Sequence, residues 1–551
     1  MKEETDGKNA YISSEVIDRK WIDVNIPCKA ACPIMTDIPG YIQAIMEGDY
    51  ETAYRINRMD NVLPGVLGRV CTRPCETACR HGRDGLGDPV SICFLKRSSA
   101  DFGREAIKPN IKPNGKKVCI IGAGPSGLTA ANDLALRGYQ TTILEQFNEP
   151  GGMLRYGIPR FRLPFDVLAA DVKSITDLGV TLKTGVRIEA GDTLETLKKE
   201  YDAVISAGGC AVPKKLTVPG IDTPGVYWGL DFMIAANNNE LNQSIEKVVI
   251  IGGGFTAADC SRMALRLGAK QVTVVDLGTR DDMLVDDHEI AAMEAEGIQF
   301  SFLVTSREIL AKDGRASGIR FARNAVKEDR SFVPIPGSEF EMEADLIVFA
   351  IGQKADENME RRPGDNFFIA GDFRNGASTV IEAAADGRRA AREVHKFLSG
   401  KDYKEVVEIR EVKETGRVRD YDFIPRQRMD ETPLYERMAK TKEVELGFSK
   451  EKALVEARRC YLCHYNFQID ISRCIYCLAC IDVMPVDCIK MAKDIEVMED
   501  GNLNYIATKR WDEVQAIAID NDKCIRCGNC VRACPVNCIS ISRHNLVEKE
   551  E

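Results

Sequence analysis

The sequence predicts an α/β protein made of two nested Rossmann-like dinucleotide-binding folds, with a helical cysteine-rich module ahead of them and a small α+β cysteine-rich module behind. Two observations predict the core. A glycine fingerprint following an apolar strand occurs twice, and the strands that close the first fold return only after the second is complete. A third predicts the flanks: of 20 cysteines, six lie between Cys28 and Cys93 and eleven between Cys460 and Cys538. Only Cys119, Cys210 and Cys260 fall in the middle, in apolar or small-residue stretches, and they read as buried structural thiols. A chain of 551 residues exceeds one hydrophobic core, so several domains are expected.

The composition, 44% apolar and 29% charged, is that of a globular protein. A net charge of −10 argues against a general nucleic-acid binder, whose phosphate contacts need a basic surface. Apolar runs such as Val248 to Gly254 fall far short of a membrane span. The opening Met-Lys-Glu-Glu-Thr-Asp lacks the apolar stretch of a secretory leader, so a cytoplasmic protein is expected. In that compartment clustered cysteines signal thiol or metal chemistry rather than disulfides.

The N-terminal module carries Cys28-x3-Cys32-Pro, an amphipathic helical stretch, then Gly68-Arg-Val-Cys71-x3-Cys75-Glu-x2-Cys79-Arg. Further on comes Gly151-Gly-Met-Leu-Arg-Tyr-Gly-Ile-Pro-Arg-Phe-Arg-Leu-Pro164. Together these resemble the iron–sulfur and flavin domains of the glutamate synthase small subunit and of dihydropyrimidine dehydrogenase, over about residues 20–400. The resemblance implies [4Fe-4S] clusters held by these cysteines, and the sequence departs from it twice. The family has an Arg-Cys-x2-Cys pair ahead of its Pro-Cys-x3-Cys-Pro segment, whereas no cysteine precedes Cys28. Glu456-Ala-Arg-Arg-Cys460-Tyr-Leu-Cys463 has the look of that pair, displaced. The family's Gln or Glu ligand falls on Lys96, a cation that cannot ligate, and Cys93 one helical turn earlier is a candidate replacement. Two quartets are therefore expected: Cys28, Cys79, Cys460 and Cys463, and Cys32, Cys71, Cys75 and Cys93. The alternative keeps Cys460 and Cys463 as a loose pair and leaves one N-terminal cluster.

In the middle, Lys-Val-Cys-Ile-Ile leads into Gly122-x-Gly124-x-x-Gly127, a helix follows, and a second strand ends at Glu145. Gly122 permits the tight turn, Gly124 lets the backbone approach a pyrophosphate, and Gly127 lets helix and strand pack closely. The helix N-terminus offers amides to phosphate, and Glu145 is placed for ribose hydroxyls. The pattern returns as Gly252-x-Gly254-x-x-Ala257, with a second strand ending at Asp276. Two such folds suggest two nucleotides, and FAD with a nicotinamide is the economical pairing.

The stretch 344–400 resembles the closing segment of two-dinucleotide-domain flavoprotein reductases, with Ser206-Ala-Gly-Gly209 as their linker turn. The resemblance places Gly371 and Asp372 at the flavin ribityl chain, and adds Ser126, Gly152, Leu154 and Thr379 to the cofactor-binding set. Asp276 favours NADH, since a carboxylate there accepts from ribose hydroxyls and repels the extra phosphate of NADPH. NADPH-preferring relatives carry an Arg-Arg pair after that strand, where this chain has Asp276-Leu-Gly-Thr-Arg280. Thioredoxin reductases share the plan but need a redox cysteine pair, and residues 246–343 contain only Cys260.

At the C-terminus, Cys524-x2-Cys527-x2-Cys530-x3-Cys534-Pro is the ferredoxin run for a cubane cluster. Before it stands Cys474-x2-Cys477-x2-Cys480-x3-Met484-Pro, the same run with methionine fourth. In two-cluster ferredoxins the fourth cysteine serves the other cluster, so Cys474, Cys477, Cys480 and Cys534 form one complete site. The other, Cys524, Cys527 and Cys530, lacks a thiolate. Cys488 is one candidate for it. Its counterpart Cys538 argues instead for a structural thiol at both places, with an unusual or labile cluster as the consequence.

The full reading is an α/β two-dinucleotide-binding-domain flavoprotein with an N-terminal α-helical iron–sulfur domain and a C-terminal α+β ferredoxin-like domain. Its expected divisions are a helical iron–sulfur domain at 1–112, an FAD domain at 113–245 and 344–400, and an NAD(P)H domain at 246–343. A charged, solvated linker at 401–459 leads to the ferredoxin-like domain at 460–551. The expected function is electron transfer from NADH through FAD and up to four [4Fe-4S] clusters to a redox partner, either a ferredoxin or a larger oxidoreductase complex. The competing readings are the small subunit of a glutamate synthase and a non-catalytic wiring scaffold.

Overall fold

The computed structural model describes residues 18–83, 87–104, 111–189, 191–241, 245–359, 364–498 and 503–551. The start of the chain, read above for a leader, lies outside them. The chain divides into two compact units, one of residues 108–394 and 430–446, the other of residues 1–107, 395–429 and 447–551.

The first unit holds two five-stranded parallel sheets that share the order of four strands and differ in the edge strand, the last in chain order in one and the first in the other. One runs Phe367–Ile369, Ala203–Ser206, Lys117–Ile121, Gln140–Leu144, Thr181–Lys183. The other runs Val226–Trp228, Leu346–Phe349, Lys247–Ile251, Gln271–Val275, Gln299–Ser301. The second sheet is wider than the 246–343 span expected for it, because Val226–Trp228 and Leu346–Phe349 both pair into it. Leu346–Phe349 is buried along its whole length, as an interior parallel strand must be. Alternation then sends neighbouring residues to opposite faces. Val248, Ile250 and Val274 pack beneath the helix Phe255–Arg266 through Ala257 and Met263. Val249, Ile347 and Phe349 pack against Ile319 and Phe321 of an antiparallel hairpin, Val304–Lys312 with Arg315–Val326.

A buried ion network joins the Gly151–Pro164 motif to the second fold. Arg162 pairs with Asp259 at 2.8 Å and Glu289 at 2.6 Å. Arg262 pairs with Glu289 at 2.9 Å and Glu296 at 2.7 Å, and Arg266 with Glu296 at 2.8 Å. Burial alone would raise the Glu289 pKa, but Arg162 and Arg262 outweigh it and hold the group far below the usual carboxylate range. A depressed folded-state pKa contributes stability above about pH 4.3 that is lost as pH falls towards the folded value. Glu289→Gln is expected to cost about 3–5 kcal/mol, since it removes the charge that two buried guanidinium groups share and leaves Arg162 only Asp259 and Arg262 only Glu296. Thermal unfolding at pH 7 checks this, and a loss below about 1 kcal/mol contradicts it.

The second unit combines helices and two small antiparallel sheets. Helices Ile38–Met46, Tyr50–Asp60, Pro64–Val70 and Ile92–Gly103 pack together, and Lys450–Arg458 docks against the first and last of these. Asp37 and Asp49 cap the first two through backbone N–H groups of Gly40 and Thr52. One sheet orders Tyr403–Val412, Ile539–Glu550, Tyr465–Ile469, and the other Leu503–Ala507, Ile489–Val497, Ala516–Ile519.

The 401–459 segment, expected as a solvated linker with helices wrapping back towards the N-terminal module, also carries strand structure. Residues 403–412 pair along their whole length with the C-terminal strand. Val444 is buried in the core of the second dinucleotide fold and its N–H donates to Phe161. Arg417 is fully buried, bonded to two carbonyls and a carboxylate. Charge-rich sequence here marks folded structure in which most of the charged side chains remain at the surface and a few, such as Arg417, are buried.

Candidate functional site

The two glycine turns have the shape a dinucleotide requires. Gly122 sits at φ +104°, and a Cβ there would lie 2.6 Å from the Ala207 carbonyl. A Cβ on Gly127 would lie 2.0 Å from the Gly122 carbonyl, so that position admits no side chain. A Cβ on Gly124 would meet nothing within 4 Å, leaving an open cradle at the start of the helix Pro125–Leu136. Gly152 closes over that cradle, its would-be Cβ 3.1 Å from the Gly124 Cα. Ser126 Oγ is buried without a partner, and Gly371 lies against it. These observations fit a pyrophosphate-bearing cofactor.

Glu145 is buried at the strand end. Its carboxylate accepts from Ala123 N at 2.8 Å and Phe147 N at 2.9 Å, which fixes the turn, and burial raises its pKa. Leu154 is fully buried beneath the motif. Gly371 donates its N–H to Asp386 at 2.6 Å, and Asp372 accepts from the Ser378 hydroxyl. Thr379 caps the helix Val380–Ser399 reciprocally with Glu382, so its immediate role is to start that helix.

The second turn repeats the first. Gly252 sits at φ +129° with a would-be Cβ 2.5 Å from the Ala350 carbonyl, and Gly254 faces open space. Ala257 is fully buried where the first turn has Gly127. Asp276 accepts from Gly278 N at 2.7 Å and overhangs Gly253, and burial together with nearby Asp282 raises its pKa. Arg280, the cation nearest in sequence, is paired with Glu294 at 2.6 Å.

The cysteines gather into four groups. Cys28 is buried facing Cys463, Cys460 and Cys79, and burial and those thiols push its pKa up. Cys79 faces Cys463, and Cys460 faces both Cys463 and Cys79. The displaced pair is carried there by the helix Lys450–Arg458. Glu456 accepts from Ser91 N and Gln427 N, and Arg459 pairs with Glu456 at 2.7 Å while donating to the Asp88 and Pro89 carbonyls.

The second group is Cys32, Cys71, Cys75 and Cys93, all facing Lys96. The remaining two groups each line a small cavity. Cys488, Cys524, Cys527 and Cys530 share one with Met484, whose Sδ accepts from Ile489 N at 3.3 Å. Cys474, Cys477, Cys480 and Cys534 share the other with Cys538, whose Sγ is 3.5 Å from that of Cys534.

One backbone device recurs. Leu462, Tyr476 and Arg526 each adopt a left-handed conformation, and each donates its N–H at 3.4 Å to the sulfur two residues earlier, Cys460, Cys474 and Cys524. Arg73 is likewise left-handed two residues after Cys71 and donates to it. Non-glycine residues pay a steric cost for this conformation, which here aims amides at sulfur. Buried thiols packed this closely oppose one another's ionisation, so they favour a shared cation: the donor set fits iron–sulfur clusters.

Arg417 is the residue the sequence reading missed. Its Nε donates to the Cys460 carbonyl at 2.6 Å and its Nη1 to the Ile525 carbonyl at 2.5 Å, clasping two cysteine loops. Nothing in its local sequence marks it, because both partners are carbonyls remote in the chain.

The pyridine nucleotide-disulphide oxidoreductase family matches residues 116–386. Dihydropyrimidine dehydrogenase domain II, 4Fe-4S cluster, matches residues 21–107, and a 4Fe-4S binding domain matches residues 517–540. The chain is 36% identical over 504 residues to the NADP(+)-dependent formate dehydrogenase subunit beta of Moorella thermoacetica, covering 80% of this chain and 71% of that one. It is 34% identical over 506 residues to the NADPH-Fe(3+) oxidoreductase subunit beta of Geobacter sulfurreducens, covering 80% and 75%. It is 31% identical over 428 residues to the glutamate synthase [NADPH] small chain of Mycobacterium tuberculosis, covering 69% and 87%. Among the described residues no helix is long and apolar enough to cross a membrane. The chain therefore belongs to the pyridine nucleotide-disulphide oxidoreductase family, as an FAD- and iron–sulfur-type NAD(P)H oxidoreductase of the branch that carries the dihydropyrimidine dehydrogenase cluster domain.

Proposed function

We propose that this chain is the electron-input subunit of a larger redox complex, taking electrons from NADH and delivering them singly to a partner protein. The observation that carries the reading is the order of the cysteine groups. Cys28 of one N-terminal quartet faces Cys75 of the other. Arg526 faces both Cys463 and Cys524. Cys530 faces Cys480. The groups thus form a file from the quartet around Lys96 to the quartet containing Cys477, which is exposed. FAD, when bound, supplies the exchange between a two-electron hydride and single electrons.

The chain's own residues do the rest. Gly122, Gly124, Ser126, Gly127, Gly152, Leu154, Gly371 and Asp372 would hold the flavin nucleotide. Gly252, Gly254, Ala257 and Asp276 would hold the nicotinamide nucleotide. The sixteen cysteines of the four quartets would hold cubane clusters.

The strand end of the second fold supports NADH. Asp282 lies near Asp276 there, Arg330 pairs with Asp282 at 2.8 Å, and the guanidinium of Arg280 pairs with Glu294 at 2.6 Å. A 2′-phosphate would meet carboxylates. The reconstituted full chain is expected to reduce a viologen dye with NADH at a higher kcat/KM than with NADPH. Asp276→Ala is expected to lower the NADH value roughly ten- to a hundredfold, the worth of a charge-assisted hydrogen bond of about 1.5–3 kcal/mol. Faster oxidation of NADPH by the unaltered protein overturns the nucleotide assignment. Absence of dye reduction with either nucleotide overturns the electron-input reading, and copurification with a large amidotransferase replaces it by a glutamate synthase role.

A further inference from the structure

Lys96 is a buried cation beside one of the cysteine quartets. It lies on the helix Ile92–Gly103 three residues after Cys93, on the same face, and the two side chains are 7% and 1% exposed. An ammonium in the interior costs several kcal/mol unless something nearby compensates its charge. Among the described residues no carboxylate does. Glu76 accepts from Cys93 N at 2.8 Å and pairs with Arg426 at 2.8 Å, and Asp101 pairs with Arg69 and Arg97. The groups the ammonium faces are Cys71, Cys93, Cys75 and Cys32, which are the whole quartet. Arg73, the other cation near Cys71 and Cys93, lies over the Phe94 ring at 4.7 Å.

We propose that Lys96 is the fixed counter-charge of the centre held by Cys32, Cys71, Cys75 and Cys93, and that it sets the reduction potential of that centre by favouring the more negative, reduced state. The proposal rests on the reading of this quartet as a cluster site. One electron enters per centre, no proton moves and no bond breaks. A cation in a low-dielectric site stabilises the added charge much more than one in water does. Electrons would therefore collect at the buried end of the file rather than pass it by.

The test is a potentiometric titration of the full-length, cluster-loaded protein followed by electron paramagnetic resonance. Lys96→Met removes the charge at similar length, and Lys96→Arg keeps it. In Lys96→Met one centre is expected to titrate lower, by at least the tenfold change in equilibrium constant that equals 59 mV for a one-electron couple. Lys96→Arg is expected to stay with the unaltered protein. Coincident titrations of Lys96→Met and the unaltered protein overturn the proposal. Iron loss in Lys96→Met but not in Lys96→Arg supports it, because the thiolates then need the charge in order to assemble. Iron loss in both overturns it and leaves Lys96 a packing role. A Cys71→Ser variant that retains all its iron refutes instead the reading that this quartet holds a cluster.

Discussion

Replacing Cys460 and Cys463 together with serine is expected to remove about a quarter of the bound iron, one cubane of four. The two sulfurs come from the helix Lys450–Arg458, yet they face Cys28 and Cys79 rather than the ferredoxin runs that follow them. Serine keeps the size of cysteine but offers a hydroxyl in place of a soft thiolate, a poor ligand for iron–sulfur chemistry. Two of four ligands would be lost, together with the amide of Leu462 that now donates to the Cys460 sulfur. The helix itself should survive, because Glu456 and Arg459 carry its anchoring bonds. Iron and sulfide analysis against protein concentration measures the loss, and circular dichroism checks that the fold persists. A double variant with undiminished iron would falsify the displaced-pair assignment.

The second large effect is expected at Cys488. Cys488→Ser should abolish the signal of the second ferredoxin centre and lower the iron content by up to about a quarter. Met484→Ala should change neither. Both residues line the same cavity, so proximity alone does not separate them. The sulfurs differ: Met484 Sδ is a neutral thioether already accepting a backbone N–H. Cys488 faces Cys524, Cys530 and Cys527, and those thiols push its pKa well above the ordinary value. A buried thiol among three others is placed to join them in binding a metal, which takes the place of its proton. The reverse pattern, with Met484→Ala losing the signal and Cys488→Ser keeping it, would assign the fourth position to the thioether.

What the sequence discloses here is whatever is local. Gly122, Gly127 and Gly252 are legible because a turn with positive φ or a sub-3 Å approach leaves glycine no substitute, and the requirement sits within a few residues of the strand it follows. The ferredoxin runs are legible for the same reason. Ligands pooled from distant segments are harder to read. Cys460 and Cys463 could be noticed only because Glu-Ala-Arg-Arg-Cys kept its local form after moving, and the buried Glu456–Arg459 pair gives that form a physical cause. Arg417 left no trace, since an arginine in a charged stretch looks the same whether it is solvated or clasped between carbonyls. The width of the second parallel sheet was missed for a related reason. Val226–Trp228 is a three-residue strand whose membership depends wholly on pairing with Leu346–Phe349.

The union of Cys28 and Cys79 with Cys460 and Cys463 also bears on how the molecule is made. A ribosome delivers the N-terminal helices first, but the ligands that complete their centre emerge only after both dinucleotide folds have been synthesised. Contacts of such sequence separation form late and slowly, and the waiting segments stay exposed to misfolding and aggregation. If these four sulfurs hold one centre, metal loading beside the N-terminal helices would wait for the synthesis of residues 460–463. A chain that stalls before residue 460 would hold all of the Cys32, Cys71, Cys75 and Cys93 quartet but only Cys28 and Cys79 of the other.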